Sequence, residues 1–434
     1  MKILLISPWD KRRRRYRTIS KKLIAYPPLT LPMLAALIPP ELNADITVFD
    51  EMSDKKLPSE HFDIVGITVI TSESGRAYEL ADHYREQGSF VVLGGYHVTF
   101  MPEEALSHAD SIVTREADEA WPALLRDFSA GRSVKQVYEG GQIQSKVVIP
   151  KRSILRAKNY CLADSIIASR GCRNRCSFCS ISRMSSYMNR DIDDVIEELK
   201  MLKHRIVIFY DPNFFSNKEY ALALMKKMEP LKLHWGATAT VDFGFDKELL
   251  SAAQKSGCTG VLIGFETMNR NALKGVNKNF YDPARYGEAI ENIHRHGMSV
   301  NGTFVLGLDS DTEEDLVGLS EKVRSLGIDI AIYFTMTPTP GTDLYKQMRK
   351  QGRILTEDWS RFTQADVVFQ PQNMSPQRLQ ALYYKTWRET YSIRNIFRRV
   401  MHAPGKSFLS KLAVIVMNIG FKFMGRDKPV KEKE

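Results

Sequence analysis

Apolar and polar positions in the first part of the chain alternate with two different periods. Five short apolar runs predict strands: KILLIS (2–7), DITVFD (45–50), DIVGITVI (63–70), FVVLGG (90–95) and SIVTRE (111–116). Between them, SESGRAYELADHYREQG (72–88) has the apolar spacing of an amphipathic helix and ends at a glycine. Short strands that alternate with helices predict an α/β fold with a doubly wound parallel sheet over residues 1–135.

A second alternation follows a polar stretch at 136–160, which we interpret as a linker. Its predicted strands are DSIIASR (164–170), RIVIFYD (205–211), HWGATATV (234–241), GVLIGFE (260–266), SVNGTFVLGL (299–308) and DIAIYFTMTP (329–338). Helical patterns such as 191–204 and 282–297 lie between them. Six βα units over 161–370 predict a partial (β/α)6 TIM-like barrel, because eight such units close a complete one. A partial barrel leaves a wide lateral opening for a large substrate.

Residues 371–434 form a basic region that is predicted to be helical. A helix is expected to begin at Ser375, with proline at its first position. The segment SFLSKLAVIVMNIGFKFMG (407–425) is short, apolar and flanked by lysines. We expect it either to lie on an anionic membrane surface as an interfacial helix or to pack on the barrel as a last helix.

The charge distribution supports the same two alternatives. Of the formal net charge of +10, the last fifty residues carry +8, since Lys385–Glu434 holds twelve Lys/Arg and four Asp/Glu, and 12 − 4 = +8. A second basic cluster, KRRRRYR (11–17), is interpreted as a solvated face. Basic runs also suit nucleic acid, but nothing in the chain resembles a known module for reading nucleic acid, and no nucleic-acid partner is expected.

Composition indicates the class of protein and its compartment. The chain has 434 residues, of which 43% are hydrophobic and 26% charged, as in soluble proteins of two or three domains. It contains no run of about 18 apolar residues, and MKILLISPWD lacks the cleavage site of a signal peptide. Five cysteines, three of them clustered, suit a metal site in a reducing compartment. We therefore expect a cytoplasmic protein. Peripheral contact with the inner face of the membrane is expected if the segment 407–425 is an interfacial helix, and not if that segment packs on the barrel.

The cysteine cluster lies in GCRNRCSFCS (171–180), where Cys172, Cys176 and Cys179 have the spacing Cys-x3-Cys-x2-Cys. Structural zinc normally takes four ligands, whereas only one Cys-x2-Cys pair is present here. Thiolates also suit iron–sulfur clusters. A 4Fe–4S cluster that has only three cysteine ligands keeps one iron open to a small molecule. The distant Cys161 and Cys258 are interpreted as buried apolar residues.

This segment resembles the signature of the radical S-adenosylmethionine (SAM) superfamily, with Phe178 as its aromatic residue. The resemblance implies that SAM chelates the open iron and that an electron from the cluster cleaves it to a 5′-deoxyadenosyl radical. At the carboxyl ends of the second and fourth barrel strands, Asp211, Asn213 and Glu266 are candidates for contacts with SAM. The alternatives are a turn or cap residue for Asn213 and a paired buried carboxylate for Glu266. Thr238, on the third barrel strand, is a further candidate for SAM binding.

The resemblance extends to a subfamily with an N-terminal, Rossmann-like cobalamin-binding domain. It rests on YPPLTLPMLAAL (26–37), VVLGGYHVTFMPEEAL (91–106), FYDPNFF (209–215), GFET (264–267) and TPTPGTDLY (337–345). Ligands of doubly wound sheets bind beyond the carboxyl ends of the strands, where this chain has Ser7, Thr71, Gly94 and Gly95. We interpret these four as the cobalamin site.

One motif of many cobalamin domains is missing from this sequence. The chain has no Asp-x-His-x-x-Gly motif, whose histidine replaces the lower axial ligand of cobalt. His83, His97 and His108 lie nearby in other contexts, and His97 is expected to line a loop. The resembling subfamily often lacks this motif and binds cobalamin without a histidine.

Three functions follow from these patterns. The first is cobalamin-dependent methylation of an unactivated carbon, with a lipid or isoprenoid-type substrate and a flavodoxin or ferredoxin as electron donor. The second is radical SAM cyclisation, ring contraction or carbon–carbon coupling without methyl transfer. The third is a zinc-stabilised nucleic-acid-binding protein. Cobalamin binding together with a methylated product distinguishes the first from the second, and zinc in place of iron would indicate the third.

Overall fold

A computed structural model describes residues 1–9, 26–54, 56–141, 147–156, 160–161, 163–278, 281–402 and 408–424. The basic cluster at 11–17 lies outside these described residues. The described chain forms two parallel α/β units followed by helices.

The first unit is a six-stranded parallel sheet in the described chain, with strand order β2-β1-β3-β4-β5-β6. Its strands are β1 (Lys2–Ser7), β2 (Asp45–Asp50), β3 (Ile64–Thr68), β4 (Phe90–Gly94), β5 (Ser111–Thr114) and β6 (Val137–Glu139). Its helices are α1 (Thr30–Ala36), α2 (Ser74–Glu86), α3 (Tyr96–Phe100), α4 (Pro102–Leu106) and α5 (Ala117–Ser129). The order reverses between β1 and β3, which creates a crevice beyond the carboxyl ends of these two strands.

Both faces of this sheet are buried, as the alternation of strands and helices predicts. Along β1, Leu4 and Ile6 pack into one apolar cluster, while Ile3 and Leu5 pack into the cluster on the opposite face. A strand that is covered on both faces reads as a continuous apolar run, which explains KILLIS. The predicted doubly wound sheet is confirmed.

The sixth strand of this sheet differs from the sequence-based expectation. Strand β6 lies within the segment interpreted as a linker, and it pairs in parallel with β5 through Val137 and Tyr138. Only Tyr138 of its three residues is buried, so the run has little apolar signal. A three-residue edge strand of this kind is too short for a periodicity argument.

The second unit is a sheet of six parallel strands in the described chain, ordered β14-β13-β12-β11-β10-β7. The strands are β7 (Asp164–Ile166), β10 (Ile206–Phe209), β11 (His234–Ala239), β12 (Cys258–Glu266), β13 (Ser299–Leu306) and β14 (Ile330–Thr335). The helices are α6 (Ile181–Met184), α7 (Ile192–Met201), α8 (Lys218–Met228), α9 (Lys247–Lys255), α10 (Arg270–Gly275), α11 (Tyr286–Arg295), α12 (Glu313–Leu316), α13 (Leu319–Ser325) and α14 (Asp343–Lys350). Neighbouring strands follow chain order, as in the predicted partial barrel.

The first predicted barrel strand (164–170) is divided in two. After β7 ends, β8 (Ser169–Arg170) leaves the barrel sheet and pairs antiparallel with β9 (Met188–Asn189). The carboxylate of Asp211, beyond β10, accepts hydrogen bonds from the Ala168 backbone N–H (3.0 Å) and from the Ser169 hydroxyl (2.6 Å). A side chain therefore replaces a ladder hydrogen bond here, which periodicity alone does not reveal.

The C-terminal helices are α15 (Pro376–Thr390), α16 (Ile393–His402) and α17 (Phe408–Met424). The Ser375 hydroxyl caps α15 by accepting from the Arg378 backbone N–H at 3.1 Å, as the sequence predicts. None of the helices in the described chain is both long and apolar enough to cross a membrane.

The apolar side chains of α17 have a different role from the interfacial helix that the sequence suggested. Val414 and Phe421 are buried, and Phe421 packs against Trp387 and Tyr391. The Asn418 amide donates to the Asp329 carbonyl of the barrel at 3.1 Å. Of the two expectations for 407–425, the structure shows the helix packed on the barrel.

Candidate active site

The three clustered cysteines follow β8 on a sharply turned loop. Gly171 begins this loop with a φ of +68°, and a Cβ at this position would collide with the backbone of Ser186. Cys176 is buried, whereas Cys172 and Cys179 are half-buried. Gly171 therefore fixes the direction in which the chain leaves the strand, and the loop places all three thiols at one end of the barrel.

The chemistry of these thiols fits an iron–sulfur cluster. Burial raises the pKa of the Cys176 thiol to about 11, and it also raises the pKa of the Cys179 thiol. Thiols of this kind remain protonated near neutral pH unless a metal centre stabilises the thiolate. In the described part of the chain, no three or more His, Cys, Asp or Glu side chains are close enough to hold a single ion. Three cysteine thiols suit a 4Fe–4S cluster, because each cysteine of such a cluster binds a different iron.

Glu266 occupies a strained position at the end of β12. A register shift between Gly264 and Glu266 interrupts the ladder to β13, and Glu266 has a φ of +63°. This region is rarely populated by residues other than glycine, and such strain is common at functional sites. A side chain at Gly264 would collide with the Glu266 carboxylate, so the glycine gives that carboxylate its room.

The Glu266 carboxylate is paired with Lys278, whose Nζ lies 2.5 Å from Oε1. Both residues are buried. Burial disfavours the ammonium form of Lys278, yet the pKa of Lys278 is raised, chiefly by the negative charge of the Glu266 carboxylate. The buried ammonium of Lys278 therefore lies beside the carboxylate of Glu266, our candidate for SAM binding, and near the cysteine loop. A cation in this position favours the anionic forms of Glu266 and of the cysteines.

Two other candidates for SAM binding, Asp211 and Asn213, lie at the same end of the barrel. They differ in how many of their polar atoms already have hydrogen-bond partners. Both carboxylate oxygens of Asp211 are used by Ala168 and Ser169, and burial raises its pKa to about 6. Asn213 accepts from the Phe215 backbone N–H at 3.3 Å, as expected of a turn residue. These contacts give Asp211 and Asn213 a role in shaping the loops beyond β7 and β10.

Thr238 and Phe178 complete the set predicted from the sequence. Thr238 is half-buried and lies on the face of β11 opposite the fully packed Ala237 and Ala239. Phe178 lies within the cysteine loop and packs against the barrel core.

A cavity of about 660 Å³ lies beyond the carboxyl ends of the first sheet. Three of the four residues predicted for cobalamin, Ser7, Gly94 and Gly95, line it. Gly95 has a φ of +108°, and a Cβ there would lie 2.8 Å from the Val69 carbonyl oxygen. The wall is mainly apolar, and it continues to Gly171 at the start of the cysteine loop. These properties fit a large ligand that approaches the backbone at the switch point, as expected for cobalamin.

Thr71, the fourth predicted residue, has a different environment. Its hydroxyl lies 3.3 Å from His97 Nδ1, and it is not part of the cavity wall. His97 is fully buried, with its Nε2 3.2 Å from Glu104, whose carboxylate also accepts from Trp359 Nε1 at 3.1 Å. Through Glu104, this histidine therefore connects the first unit to Trp359, which follows the last barrel strand, and both of its ring nitrogens already have partners.

Two residues of the site were missed from the sequence. Arg170, directly before Gly171, is buried and lines the cavity, and its guanidinium donates to Asp118 at 2.7 Å and contacts Glu116 at 3.4 Å. Lys278 is the other. The position of Arg170 next to the motif was a usable signal, whereas Lys278 has no signal in the sequence, because its partner comes from tertiary structure.

Models of known protein families match separate parts of the chain. The B12 binding domain model matches residues 27–125, and the Radical SAM superfamily model matches residues 166–323. A domain of unknown function, DUF4070, matches residues 342–408. The first two matches confirm the resemblance stated from the sequence and the cofactors it implied, namely a 4Fe–4S cluster, SAM and cobalamin.

Curated relatives are similar over most of their length. The bacteriochlorophyllide d C-8(2)-methyltransferase of Chlorobaculum tepidum is 30% identical over 421 residues, which cover 91% of each chain. The C-12(1)-methyltransferase of the same organism is 28% identical and covers 87% of this chain and 85% of its own. The hopanoid C-2 methylase of Rhodopseudomonas palustris is 24% identical over 76% of this chain and 66% of its own.

Solved structures share the fold. The radical SAM methyltransferase TsrM of Kitasatospora setae, determined with cobalamin and a [4Fe–4S] cluster, superposes with a TM-score of 0.66 at 15% identity, covering 96% of this chain and 99% of its own. The cobalamin-dependent radical enzyme OxsB gives a TM-score of 0.69 at 15% identity, covering 98% of this chain and 71% of its own. Together with the sequence relatives, this places the chain in the family of cobalamin-dependent radical SAM methyltransferases, and the protein is an enzyme of that family.

Proposed function

We propose that this enzyme methylates an unactivated carbon of a bulky, mainly apolar organic molecule of isoprenoid-lipid or tetrapyrrole type. The observation that carries the proposal is the continuous wall of the cavity. Gly94 and Gly95 lie on its first-sheet side, and Arg170 and Gly171 lie on its barrel side. A corrin bound in this cavity would therefore lie against the loop that carries Cys172.

When bound, the cluster and SAM would together supply the radical, and cobalamin would supply the methyl group. The protein holds these groups in place. The three cysteines would bind the cluster, and Glu266 and Thr238 are our candidates for SAM contacts. Asp211 would maintain the path of the chain into the cysteine loop through its hydrogen bonds to Ala168 and Ser169. A reduced flavodoxin or ferredoxin is the proposed source of the electron.

The substrate class is supported by the relatives and by the shape of the barrel. The bacteriochlorophyllide methyltransferases and the hopanoid C-2 methylase act, by their names, on large ring systems with extensive apolar surface. The strands β7 and β14 do not pair with each other in the described chain, so the barrel sheet is open at one side. An opening of this kind admits a bulky substrate more readily than a closed barrel would.

The test uses the full chain, purified without oxygen and reconstituted with iron, sulfide and cobalamin. SAM carrying a trideuterated methyl group is added with a reduced flavodoxin and either bacteriochlorophyllide d or a hopanoid. We expect a product whose mass corresponds to replacement of one hydrogen by CD₃. S-adenosylhomocysteine and 5′-deoxyadenosine should form in equal amounts, because one SAM supplies the methyl group and a second supplies the radical. Iron uptake without cleavage of SAM would overturn the proposal.

A second candidate is radical cyclisation without methyl transfer. The anaerobic magnesium-protoporphyrin IX monomethyl ester cyclase of Cereibacter sphaeroides is 26% identical over 88% of this chain and 69% of its own. The same assay separates the two functions. A product that has lost two hydrogens, formed with 5′-deoxyadenosine but without S-adenosylhomocysteine, would favour cyclisation.

A further inference from the structure

The outer face of α16 exposes three large apolar side chains in one line. Ile393, Phe397 and Met401 are 74%, 66% and 62% exposed, and we call them the α16 stripe. They are spaced four residues apart, so they lie on one face of the helix over about 12 Å. A contiguous patch of large, solvent-exposed apolar side chains on a folded protein often marks an interaction surface.

The opposite face of α16 is anchored to the protein. Arg399 is buried, donates to the Thr390 carbonyl and lies over the ring of Tyr391 at 4.8 Å. Ile396 packs against the barrel core. The helix therefore cannot turn the α16 stripe inward without giving up these contacts, and the exposed face is a fixed feature of the fold.

The charges beside the stripe are positive. The helix IRNIFRRVMH contains three arginines and no acidic residue. Arg394 is exposed and Arg398 is partly exposed. Both lie close enough to Glu321 to lower its pKa, although the main cause is a hydrogen bond from Arg324. The stripe is therefore flanked by two arginines, with the Glu321 carboxylate also near them, in the part of the chain that carries a net charge of +8 over its last fifty residues.

We propose that the α16 stripe docks on an anionic lipid bilayer, with its apolar side chains at the level of the head groups and Arg394 and Arg398 beside lipid phosphates. Apolar residues flanked by arginine on one face of a helix are the features of an interfacial helix. A second copy of the chain fits less well, because a twofold contact would bring like charges together. Three side chains also fall short of the roughly 800 Å² per partner of a stable interface.

This contact would position the enzyme beside a substrate dissolved in the membrane, but it does not depend on the proposed methyl transfer. The cysteine loop and the cavity contribute no residue to the α16 stripe. Vesicle binding can therefore be measured on the protein with or without its cofactors, and its failure would leave the proposed reaction untouched.

The experiment is co-sedimentation of the full chain with vesicles of phosphatidylglycerol and phosphatidylcholine, compared with vesicles of phosphatidylcholine alone. We expect binding to the anionic vesicles that weakens at high salt. Ile393→Ser/Phe397→Ser/Met401→Ser should weaken partition by more than about tenfold. Arg394→Gln and Arg398→Gln should each weaken it by about fivefold at low salt.

The matched control is Met201→Ser/Leu355→Ser, which removes two exposed apolar side chains elsewhere on the protein. It should bind vesicles as the parent does. Circular dichroism and thermal melting establish that every variant is folded. The proposal is overturned if the stripe variant binds as tightly as the parent. It is also overturned if light scattering shows a dimer that the stripe variant converts to monomer while neither protein binds vesicles.

Discussion

The guanidinium of Arg170 donates to the carboxylate of Asp118 at 2.7 Å, which joins strand β8, directly before the cysteine loop, to helix α5 of the first unit. The side chains of Arg170 and Asp118 are 10% and 22% exposed, so the pair is largely shielded from water. Its position, two residues before Cys172 and in the cavity wall, makes it a direct link between the two candidate cofactor sites.

Removing one partner of this pair should therefore affect both sites. We expect Arg170→Met to destabilise the protein by about 3 kcal/mol, because it leaves the carboxylates of Glu116 and Asp118 without their cation. The affinity for cobalamin should fall as well. Anaerobic thermal unfolding and a cobalamin titration followed by absorbance would measure the two effects.

A double-mutant cycle with Asp118→Asn separates the pair from general damage. The combined variant should lose less stability than the sum of the single variants. The exposed pair of Arg126 and Glu41 offers a matched control, and Arg126→Met should lower the melting temperature much less than Arg170→Met does. Additivity of Arg170→Met and Asp118→Asn would contradict the proposed coupling.

The five cysteines are expected to differ sharply in their importance for iron uptake. Cys172→Ala, Cys176→Ala and Cys179→Ala should each abolish uptake of about four irons per chain, since each removes a ligand of the cluster. Cys258 donates to the Gly260 carbonyl and is buried away from the loop, so Cys258→Ala should keep full iron uptake. Cys161→Ala should do the same. Iron and sulfide analysis with EPR of the reduced protein would check this, and zinc in place of iron would revive the structural-zinc alternative.

A substitution at Gly95 tests whether the cavity binds cobalamin. A Cβ at Gly95 would meet the Val69 backbone at 2.8 Å, so Gly95→Ala should displace the loop that lines the cavity and weaken cobalamin binding by roughly tenfold or more. Gly88→Ala is the matched control, because Gly88 also has a positive φ (+81°) but has nothing near its Cβ. It should cost about 1 kcal/mol of stability and leave cobalamin binding intact. Equal binding by the parent and Gly95→Ala would argue against this cavity as the cobalamin site.

Asp311 predicts a pH dependence of stability. Its Oδ2 accepts from the backbone N–H groups of Gly307 (3.0 Å) and Leu308 (2.9 Å), and burial raises its pKa from 3.8 to about 7. The folded protein therefore keeps a proton that the unfolded chain releases above about pH 4. Stability from this group is fully present below pH 4 and is lost as the pH rises to 7, by on the order of 4 kcal/mol.

Asp311→Asn tests that sign. The amide oxygen can keep both backbone hydrogen bonds, and the amide nitrogen can donate to the Thr267 hydroxyl. We expect the variant to match the parent near pH 4 and to exceed it near pH 8 in thermal unfolding. Asp315 provides the opposite case, because hydrogen bonds from Thr312 and Asn269 outweigh burial and lower its pKa. The stability that Asp315 contributes should be fully present above its unfolded pKa and be lost as the pH falls from that value through the lower folded pKa.

The sequence predicted the parts of the fold that depend on local periodicity and on motif spacing. The strand KILLIS and the cap at Ser375 are examples, because each has its cause within a few neighbouring residues. The division of the first barrel strand was missed, since its cause is Asp211, about forty residues downstream. Lys278 was missed for the same reason, because only the folded chain brings it to Glu266. Predictions from local pattern therefore place the cluster ligands but not the charges around them.

One contact at the edge of the barrel limits how the enzyme can be dissected. The edge strand β7 does not remain bare on its outer side, since the Ser165 hydroxyl donates to the Pro27 carbonyl and Arg152 donates to the Ser165 carbonyl, at 2.6 Å each. A bare edge strand readily recruits strands of other molecules. If the first unit were cut away, this edge would lose part of its cover, and the isolated barrel would tend to self-associate. The two halves of this enzyme are therefore best expressed, stored and assayed as one chain.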